Sequence, residues 1–286
     1  MTIEQIYRFG IEELRAAGIE DAEIDAFLLL EHITGLTKAR YYIELKKEVQ
    51  PGQETEYQEL IARRKTRIPL QHLTKVQEFM GLPFMVNEHV LIPRQDTETL
   101  VETVLERLSD GDTILDMCTG SGCILLSLLV HGSRKRKLNP AESLGADISL
   151  EALSVAKENA SQLNVEVPLL QSDLFAEVTG TFSVIVSNPP YIKTGVIEEL
   201  QDEVRLHDPI TALDGMEDGL HFYRRIIDES PAYLKAGGRL YFEIGYDQGE
   251  DVMHLMETKG FEEITLKKDL TGLDRIVSGV YNKSEK

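Results

Sequence analysis

Cysteine and positive charge are both scarce in this 286-residue chain. Only Cys118 and Cys123 occur, too few for a disulfide scaffold and in keeping with a reducing cytoplasm. Lys and Arg number 30 against 49 Asp and Glu, a formal net charge of −19. Such a molecule repels polyanions, which argues against direct nucleic-acid binding, since phosphate neutralisation supplies most of that affinity. No apolar run approaches the roughly 18 residues of a membrane span. The opening MTIEQIYRFGIEELR has no basic stretch followed by an apolar core, so no signal peptide is expected. With 21 Gly and 10 Pro the chain is neither collagenous nor low in complexity. Its 42% hydrophobic content is enough for a sizeable core, in one or two domains.

The first 70 or so residues read as short helices. Ile3, Ile6, Tyr7, Ile11 and Leu14 recur at helical spacing until Gly18 interrupts. Asp21 can cap a second helix with Ile24, Phe27, Leu28 and Ile33 on its apolar face, ended by Gly35, and a third runs from about Glu54 to Ile68, stopped by Pro69. The segment VQEFMGLPFMVNEHVLIP, broken at Gly81 and Pro83, suggests a hairpin or extended linker. A helix then restarts with Asp96 as its cap and Leu100, Val101, Val104, Leu105 and Leu108 on one face. Beyond Gly111 strands are expected at 113–117, 143–147, 166–170, 182–187, 238–244, 262–267 and 274–281. Helices are expected at 121–130, 149–162, 219–234 and 248–259. Continuously apolar strands alternating with helices predict a mostly parallel sheet covered on both faces. The KDLTGLD turn is too short for a crossover, so the last two strands should pair antiparallel.

In such sheets ligands bind beyond the carboxyl ends of the strands, and three segments fall there. Asp116-Met-Cys-Thr-Gly-Ser-Gly122 is a strand, a glycine-rich turn and a helix start, suited to a carboxylate or phosphate. It lacks both the third glycine of a dinucleotide fingerprint and a P-loop lysine, and a tight turn without a ligand explains it equally. Asp147 ends the next strand and can accept hydrogen bonds from ribose hydroxyls or cap the following helix. It lies 27 positions beyond Gly120, against the usual ~20. The polar insertion Gly132-Ser-Arg-Lys-Arg-Lys-Leu-Asn-Pro140 accounts for the excess. The third segment, Asn188-Pro-Pro-Tyr191 after FSVIVS, is the specific one. Two prolines make a rigid corner with free carbonyls, Asn supplies a donor and an acceptor in one plane, and Tyr offers a flat face. That set suits a planar group bearing an –NH₂, either a carboxamide or an exocyclic base amine. Its nitrogen needs no strong base if the electrophile is already cationic, such as a sulfonium methyl, and positioning then supplies much of the acceleration. An ornate turn is the bland alternative. The two cysteines read as packing residues, with no histidine near them in sequence, and no metal ligand set is expected.

With these segments the chain resembles the class I S-adenosylmethionine-dependent methyltransferases, and within them the peptide chain release factor N5-glutamine methyltransferase family (PrmC, also called HemK). Leu91-Ile-Pro-Arg-Gln-Asp-Thr-Glu98, Phe242-Glu-Ile-Gly-Tyr-Asp-Gln-Gly249 and Lys268-Asp-Leu-Thr-Gly-Leu-Asp-Arg-Ile276 carry the likeness along the whole chain. The resemblance implies a Rossmann-like α/β fold with a seven-stranded mostly parallel sheet. It divides the chain into a helical substrate-recognition domain at 1–73, a β-hairpin linker at 74–93 and a methyltransferase domain at 94–286. It implies that Asp116, Cys118, Thr119, Gly120, Ser121 and Gly122 hold the methionine end of S-adenosyl-L-methionine, Asp147 the ribose, and Asp173 with Leu174 the adenine. Asn188, Pro189, Pro190 and Tyr191 would form the catalytic glutamine pocket, Asn188 facing the cofactor as well, with Arg94 and Glu98 near the cleft. The implied substrate is the Gly-Gly-Gln glutamine of class 1 release factors, methylated in the cytoplasm by a monomer. Rival substrates are a ribosomal-protein glutamine or an adenine N6 on nucleic acid; a cofactor-binding scaffold without activity is the non-enzyme reading. Three positions depart from the family pattern. Cys118 replaces a glycine, acceptable provided φ > 0 is not required; Gln95 replaces a proline; Leu174 replaces an aromatic.

Overall fold

The computed structural model describes residues 1–282; residues 283–286, the end of the expected methyltransferase domain, lie outside the described residues. Its contacts divide the chain into two compact units, Met1–Val76 with Gln201–His207, and Gln77–Leu200 with Asp208 onward.

The first unit is helical: α1 (Ile3–Ala16), α2 (Ala22–Thr34), α3 (Lys38–Glu44), α4 (Pro51–Lys65) and α5 (Leu70–Thr74). Thr2 opens α1 with a reciprocal capping box to Gln5, and Gly35, in the left-handed region at φ 68°, closes α2. Three expectations need correction. The helix expected from Glu54 to Ile68 is α4, Pro51–Lys65, which ends on Thr66, before Pro69 is reached. The buried face of α2 is Ala22, Asp25, Ala26, Leu29 and Leu30, while Ile24 is 58% exposed. The cause is a buried ion pair: Arg64 Nε of α4 donates to Asp25 Oδ2 at 2.7 Å, pulling Asp25 inward. Asp21 occupies the N-cap position of α2 without bonding through its side chain. Arg64 also donates to Glu203 Oε1 at 3.2 Å, from the inserted segment that completes this unit.

The second unit opens with β1 (Val76–Phe79) and β2 (Leu82–Met85), joined through Met80 and Gly81 at φ 54° and 67°. Two positive φ angles in a two-residue loop are those of a type I′ hairpin. Phe79 and Phe84 meet edge-on in the apolar cluster shared with the helices that follow. Next come α6 (Gln95–Arg107), β3 (Ile114–Met117), α7 (Cys123–Ser133), β4 (Leu144–Asp147), α8 (Leu150–Gln162), β5 (Leu169–Gln171) and β6 (Phe182–Ser187). After α9 (Asp202–Arg205), which belongs to the helical unit, follow α10 (Ile210–Leu213), α11 (His221–Glu229), β7 (Leu234–Glu243), α12 (Gly249–Lys259), β8 (Glu262–Lys268) and β9 (Asp274–Tyr281). Arg94, not Asp96, is the N-cap residue of α6; Asp96 turns instead to Arg275 at 3.4 Å. The helix expected through 234 ends at Glu229, because Pro231 cannot continue it.

The expected seven-stranded sheet is present, in the order β5-β4-β3-β6-β7-β9-β8. β3 through β7 run parallel, and β9 lies antiparallel to both β7 and β8. Strands β3 and β6 are apolar almost throughout because helices cover both faces. The register sets Met117 beside both Ala146 and Ser187. The last residues of β3, β4 and β6 therefore stand abreast. Since the chain leaves β3 towards β4 and leaves β6 towards β7, the crevice between β3 and β6 is the topological switch point.

Candidate active site

The three strand ends open into a cavity of about 350 Å³. Cys118, Thr119, Gly120, Ser121, Asp147, Asp173, Leu174, Asn188 and Pro190 line it, as does Arg94. Asp116, Gly122, Pro189 and Tyr191 do not. They stand behind the wall or brace it.

The glycine-rich turn is held in the left-handed region at Cys118 (φ 62°), Gly120 (φ 55°) and Gly122 (φ 79°). The proviso attached to Cys118 therefore fails: a residue with a β-carbon occupies a conformation that costs it about 1–3 kcal/mol. Leu174 is held likewise, at φ 50°. A β-carbon on Gly120 would meet nothing within 4 Å, so this stretch of backbone faces open space where a ligand can approach. Helix α7 begins on Gly122 without a side-chain bond from that residue; Asp116 takes the Leu125 N–H, which leaves those of Cys123 and Ile124 available. Asp147 spans the turn. Its Oδ2 accepts from the Gly120 N–H at 2.8 Å and its Oδ1 from the Ser149 N–H at 3.0 Å, leaving each oxygen further accepting capacity. Burial raises this carboxyl from its ordinary value, and the N–H bonds of Ser149 and Gly120 oppose the rise. The cap of α8 is Ser149, whose hydroxyl accepts from Ala152 N, and not Asp147.

Beneath the turn Asp116 is fully buried. Its Oδ2 accepts from the Thr119 hydroxyl at 2.6 Å and from Leu125 N at 3.3 Å, while its Oδ1 is buried without a partner. Burial pushes this carboxyl up to about 7. Burial also raises both thiols, Cys123 to about 12, so neither cysteine is a ready nucleophile.

Asn188 follows β6, and its Nδ2 lies 3.5 Å from Thr97 Oγ1. The Ser187 hydroxyl donates to Met117 O at 2.6 Å and ties the ends of β6 and β3 together. Tyr191 turns away from the cavity. Its ring packs on the core, its hydroxyl reaches Glu243 Oε1 at 3.4 Å, and its carbonyl accepts from Gln248 Nε2 at 3.0 Å. Gly215 and Gly219 let the neighbouring loop pass close, since β-carbons there would stand 2.7 Å from Tyr191 Cα and 2.5 Å from Tyr191 O. Arg94 donates to Asp208 Oδ2 at 2.7 Å; burial raises Asp208 to about 6 and the guanidinium opposes it. Glu98 does not line the cavity, and its Oε1 accepts from Met80 N at 2.6 Å to brace the hairpin turn.

Sequence reasoning missed Thr97, Gly215, Gly219, Glu243 and Gln248. The pair of glycines in Asp214-Gly-Met-Glu-Asp-Gly219 was the one local signal for the loop. Asp147, Asp173, Asp214 and Arg94 line the cavity; Arg94 is paired with Asp208 and Asp173 with Arg225, which leaves Asp147 and Asp214 without a cationic partner among these. The balance favours a cationic ligand.

Residues 5–74 match the model of the PrmC N-terminal domain, and residues 94–204 that of the methyltransferase small domain. The chain is 38% identical over 279 residues to the release factor glutamine methyltransferase of Geobacter sulfurreducens, covering 97% of this chain and 96% of that one. It is 41% identical over 281 residues to the Moorella thermoacetica protein of the same name, covering 96% and 97%. A solved methyltransferase from Pyrococcus furiosus aligns at a TM-score of 0.55 with 17% identity, covering 77% of this chain and 99% of that one, a likeness of fold. No described helix is long and apolar enough to cross a membrane.

Proposed function

The chain belongs to the release factor glutamine methyltransferase family, and on that premise we propose that it methylates the side-chain amide nitrogen of the Gly-Gly-Gln glutamine in class 1 peptide chain release factors. The observation that carries the reading is Asn188, set at the switch point on a rigid two-proline corner and facing the same cavity as the glycine-rich turn and Asp147. The residues present fit S-adenosylmethionine. The open backbone face at Gly120, the spare acceptors of Asp147 and the apolar wall of Leu174 suit in turn an amino-acid end, a ribose and a base.

When bound, that cofactor supplies a methyl group on a cationic sulfur, an electrophile already activated. Cys118 through Ser121 would hold its amino-acid end, with Asp116 and Gly122 supporting the turn from behind, Asp147 the ribose, and Asp173 with Leu174 the adenine. Asn188 Oδ1 and a proline carbonyl each accept one N–H of the glutamine amide. Those two bonds fix the nitrogen and direct its lone pair, so positioning supplies much of the rate. The same oxygens stabilise the positive charge that develops on nitrogen, and one N–H proton then leaves to solvent. Pro189 and Pro190 keep the corner rigid, and Tyr191 holds it from behind.

The helical domain, residues 1–73, reads the protein partner, with the hairpin at 74–93 as its link to the methyltransferase domain at 94–286. Exposed Tyr42 and Ile43 support a protein-facing role; serine at both should lower kcat/KM on a whole release factor and leave that on a Gly-Gly-Gln peptide unchanged. The acidic surplus supports the absence of direct nucleic-acid binding, and the reading includes a monomer working in the cytoplasm. Labelled methyl transfer to purified release factor, ribosomal protein and DNA in parallel tests the whole. Label on the Gly-Gly-Gln glutamine, lost in Asn188→Ala, is expected; label on DNA or ribosomal protein alone would overturn it.

A further inference from the structure

Arg94 is the one arginine or lysine among the described residues that line the cavity. Its side chain is 43% exposed, whereas that of its partner Asp208 is fully buried, with Oδ1 unpaired. The 2.7 Å bond from Arg94 Nη2 to Asp208 Oδ2 therefore pins one corner of a planar fork to a fixed point. A guanidinium carries five N–H donors, and this bond is the only one that the Arg94 side chain makes among the described residues. Asp208 titrates near 6 and is ionised at neutral pH, so the pair has no net charge and Arg94 can donate beside a sulfonium without repelling it. Two ties place the pair at the Asn188 end of the cavity. Thr97 N donates to Arg94 O at 3.1 Å, and Thr97 Oγ1 lies 3.5 Å from Asn188 Nδ2. Asp208 leads into Pro209 and Ile210 on the cavity wall, and the same segment is laced to the residue after Tyr191: Ile192 N donates to Leu213 O at 2.9 Å and Gly215 N to Ile192 O at 2.8 Å.

We infer that Arg94 is a substrate-binding residue whose guanidinium donates to a main-chain carbonyl of the Gly-Gly-Gln segment, and that Asp208 is the positioning residue that anchors and neutralises it. The free donors of Arg94 require an acceptor, and a peptide carries one at every residue. The oxygen of the reacting carboxamide is the wrong one: a cationic donor there would draw the nitrogen lone pair into the amide and oppose transfer. A half-exposed fork meets the main chain before the side-chain amide, and glycines leave that main chain open to close approach. The site thereby distinguishes a glutamine carried on a glycine backbone from a free glutamine.

The inference rests on the proposed methylation of that glutamine, and its test separates the two. Arg94→Gln removes charge and fork, Arg94→Lys keeps the charge opposite Asp208 without the fork, and Asp208→Asn keeps the shape and removes the counter-charge. R94Q should raise KM by about 10- to 100-fold for release factor and Gly-Gly-Gln peptide alike, the loss of one charge-assisted bond, with kcat within about threefold of wild type. R94K should raise both KM values by about 10-fold. Cofactor dissociation constants, measured by calorimetry, should stay at the wild-type value in both. D208N should weaken S-adenosylmethionine by about threefold or more and leave S-adenosylhomocysteine, whose sulfur is uncharged, at wild-type affinity, because the unneutralised Arg94 repels only the sulfonium. Unchanged KM in both Arg94 variants, or a KM effect confined to the whole release factor, would overturn the assignment of Arg94. So would a loss of cofactor affinity parallel to the rise in KM, which would make the guanidinium a ligand of the cofactor carboxylate. Equal losses for the two sulfur states in D208N would overturn that of Asp208. If R94Q fails to fold with Asp208 unpaired, R94K decides by the same split. A wild-type enzyme that labels neither release factor nor peptide would sink the underlying reading instead.

Discussion

Asp116→Asn should change how stability depends on pH. In the fold this carboxyl titrates near 7, from 3.8 as its ordinary value, because burial disfavours its charge. As pH rises above 3.8 the unfolded chain releases the proton first, while the native state keeps it. The native state then binds more protons, so raising the pH destabilises the wild type until about pH 7, where the effect levels off. The full penalty comes to about 4 kcal/mol, of which about 3 kcal/mol accrues between pH 5 and pH 8. An asparagine cannot ionise. Its Oδ1 can take the bonds from Thr119 and Leu125, and its amide nitrogen occupies the unpartnered position of Asp116 Oδ1. Any constant cost of that nitrogen shifts the whole curve and leaves the slope alone. Urea unfolding of cofactor-free wild type and D116N across pH 5 to 8 therefore reads the difference directly. The variant should gain about 3 kcal/mol on the wild type over that interval, with the other buried carboxyls, Asp208 and Glu243, common to both proteins. Parallel curves would mean that Asp116 titrates as an ordinary carboxylate and that the reasoning is wrong.

Cys118→Gly should leave Tm unchanged or raise it by the equivalent of about 1 kcal/mol, as relief of the left-handed strain is set against the larger unfolded-state entropy of glycine; a Tm well below wild type in a melting scan would contradict this. Arg64→Met should cost about 3–5 kcal/mol in denaturant unfolding, because Asp25 stays buried without its partner. The double variant Arg64→Met with Asp25→Leu should recover most of that loss. Gly219→Ala should reduce kcat about 10-fold or more through a shifted Tyr191, whose carbonyl the added carbon would meet at 2.5 Å; steady-state kinetics with unchanged kcat would show that the loop yields without moving the corner.

The strands and the three strand-end segments were legible because their signals are local: FSVIVS and RLYFEI are continuous apolar runs, and parallel register brings Met117, Ala146 and Ser187 level wherever such strands pair. The apolar face of α2 was misread for the opposite reason. Asp25 is buried only because Arg64, 39 positions away, meets it. Helix α3 spans just 7 residues and buries only Tyr41, too little for a periodicity to register. Within the site, Asn188 and Asp147 could be picked out from their places after strands. Thr97, Glu243 and Gln248 could not, since their meaning lies in contacts spanning 91, 52 and 57 positions. The φ of Cys118 was hidden by its side chain: glycine at that position advertises the left-handed turn, and cysteine conceals it.

The helical unit is discontinuous in sequence, and this limits how the molecule can be taken apart. The backbone passes between the units after Val76, after Leu200 and after His207. After a single cut between 76 and 201 the piece 1–76 has no backbone link to 201–207, and only non-covalent bonds such as those of Arg64 and Arg67 to Glu203 hold it there. A protease acting in the hairpin region would therefore leave helices α1 to α5 on a separate peptide, held by such bonds alone. A graft of the helical unit onto another methyltransferase must likewise carry two pieces, 1–76 and 201–207. The second piece emerges from the loop that begins at Asn188-Pro-Pro-Tyr191, so exchange of the recognition module and integrity of the catalytic corner are linked by chain connectivity alone.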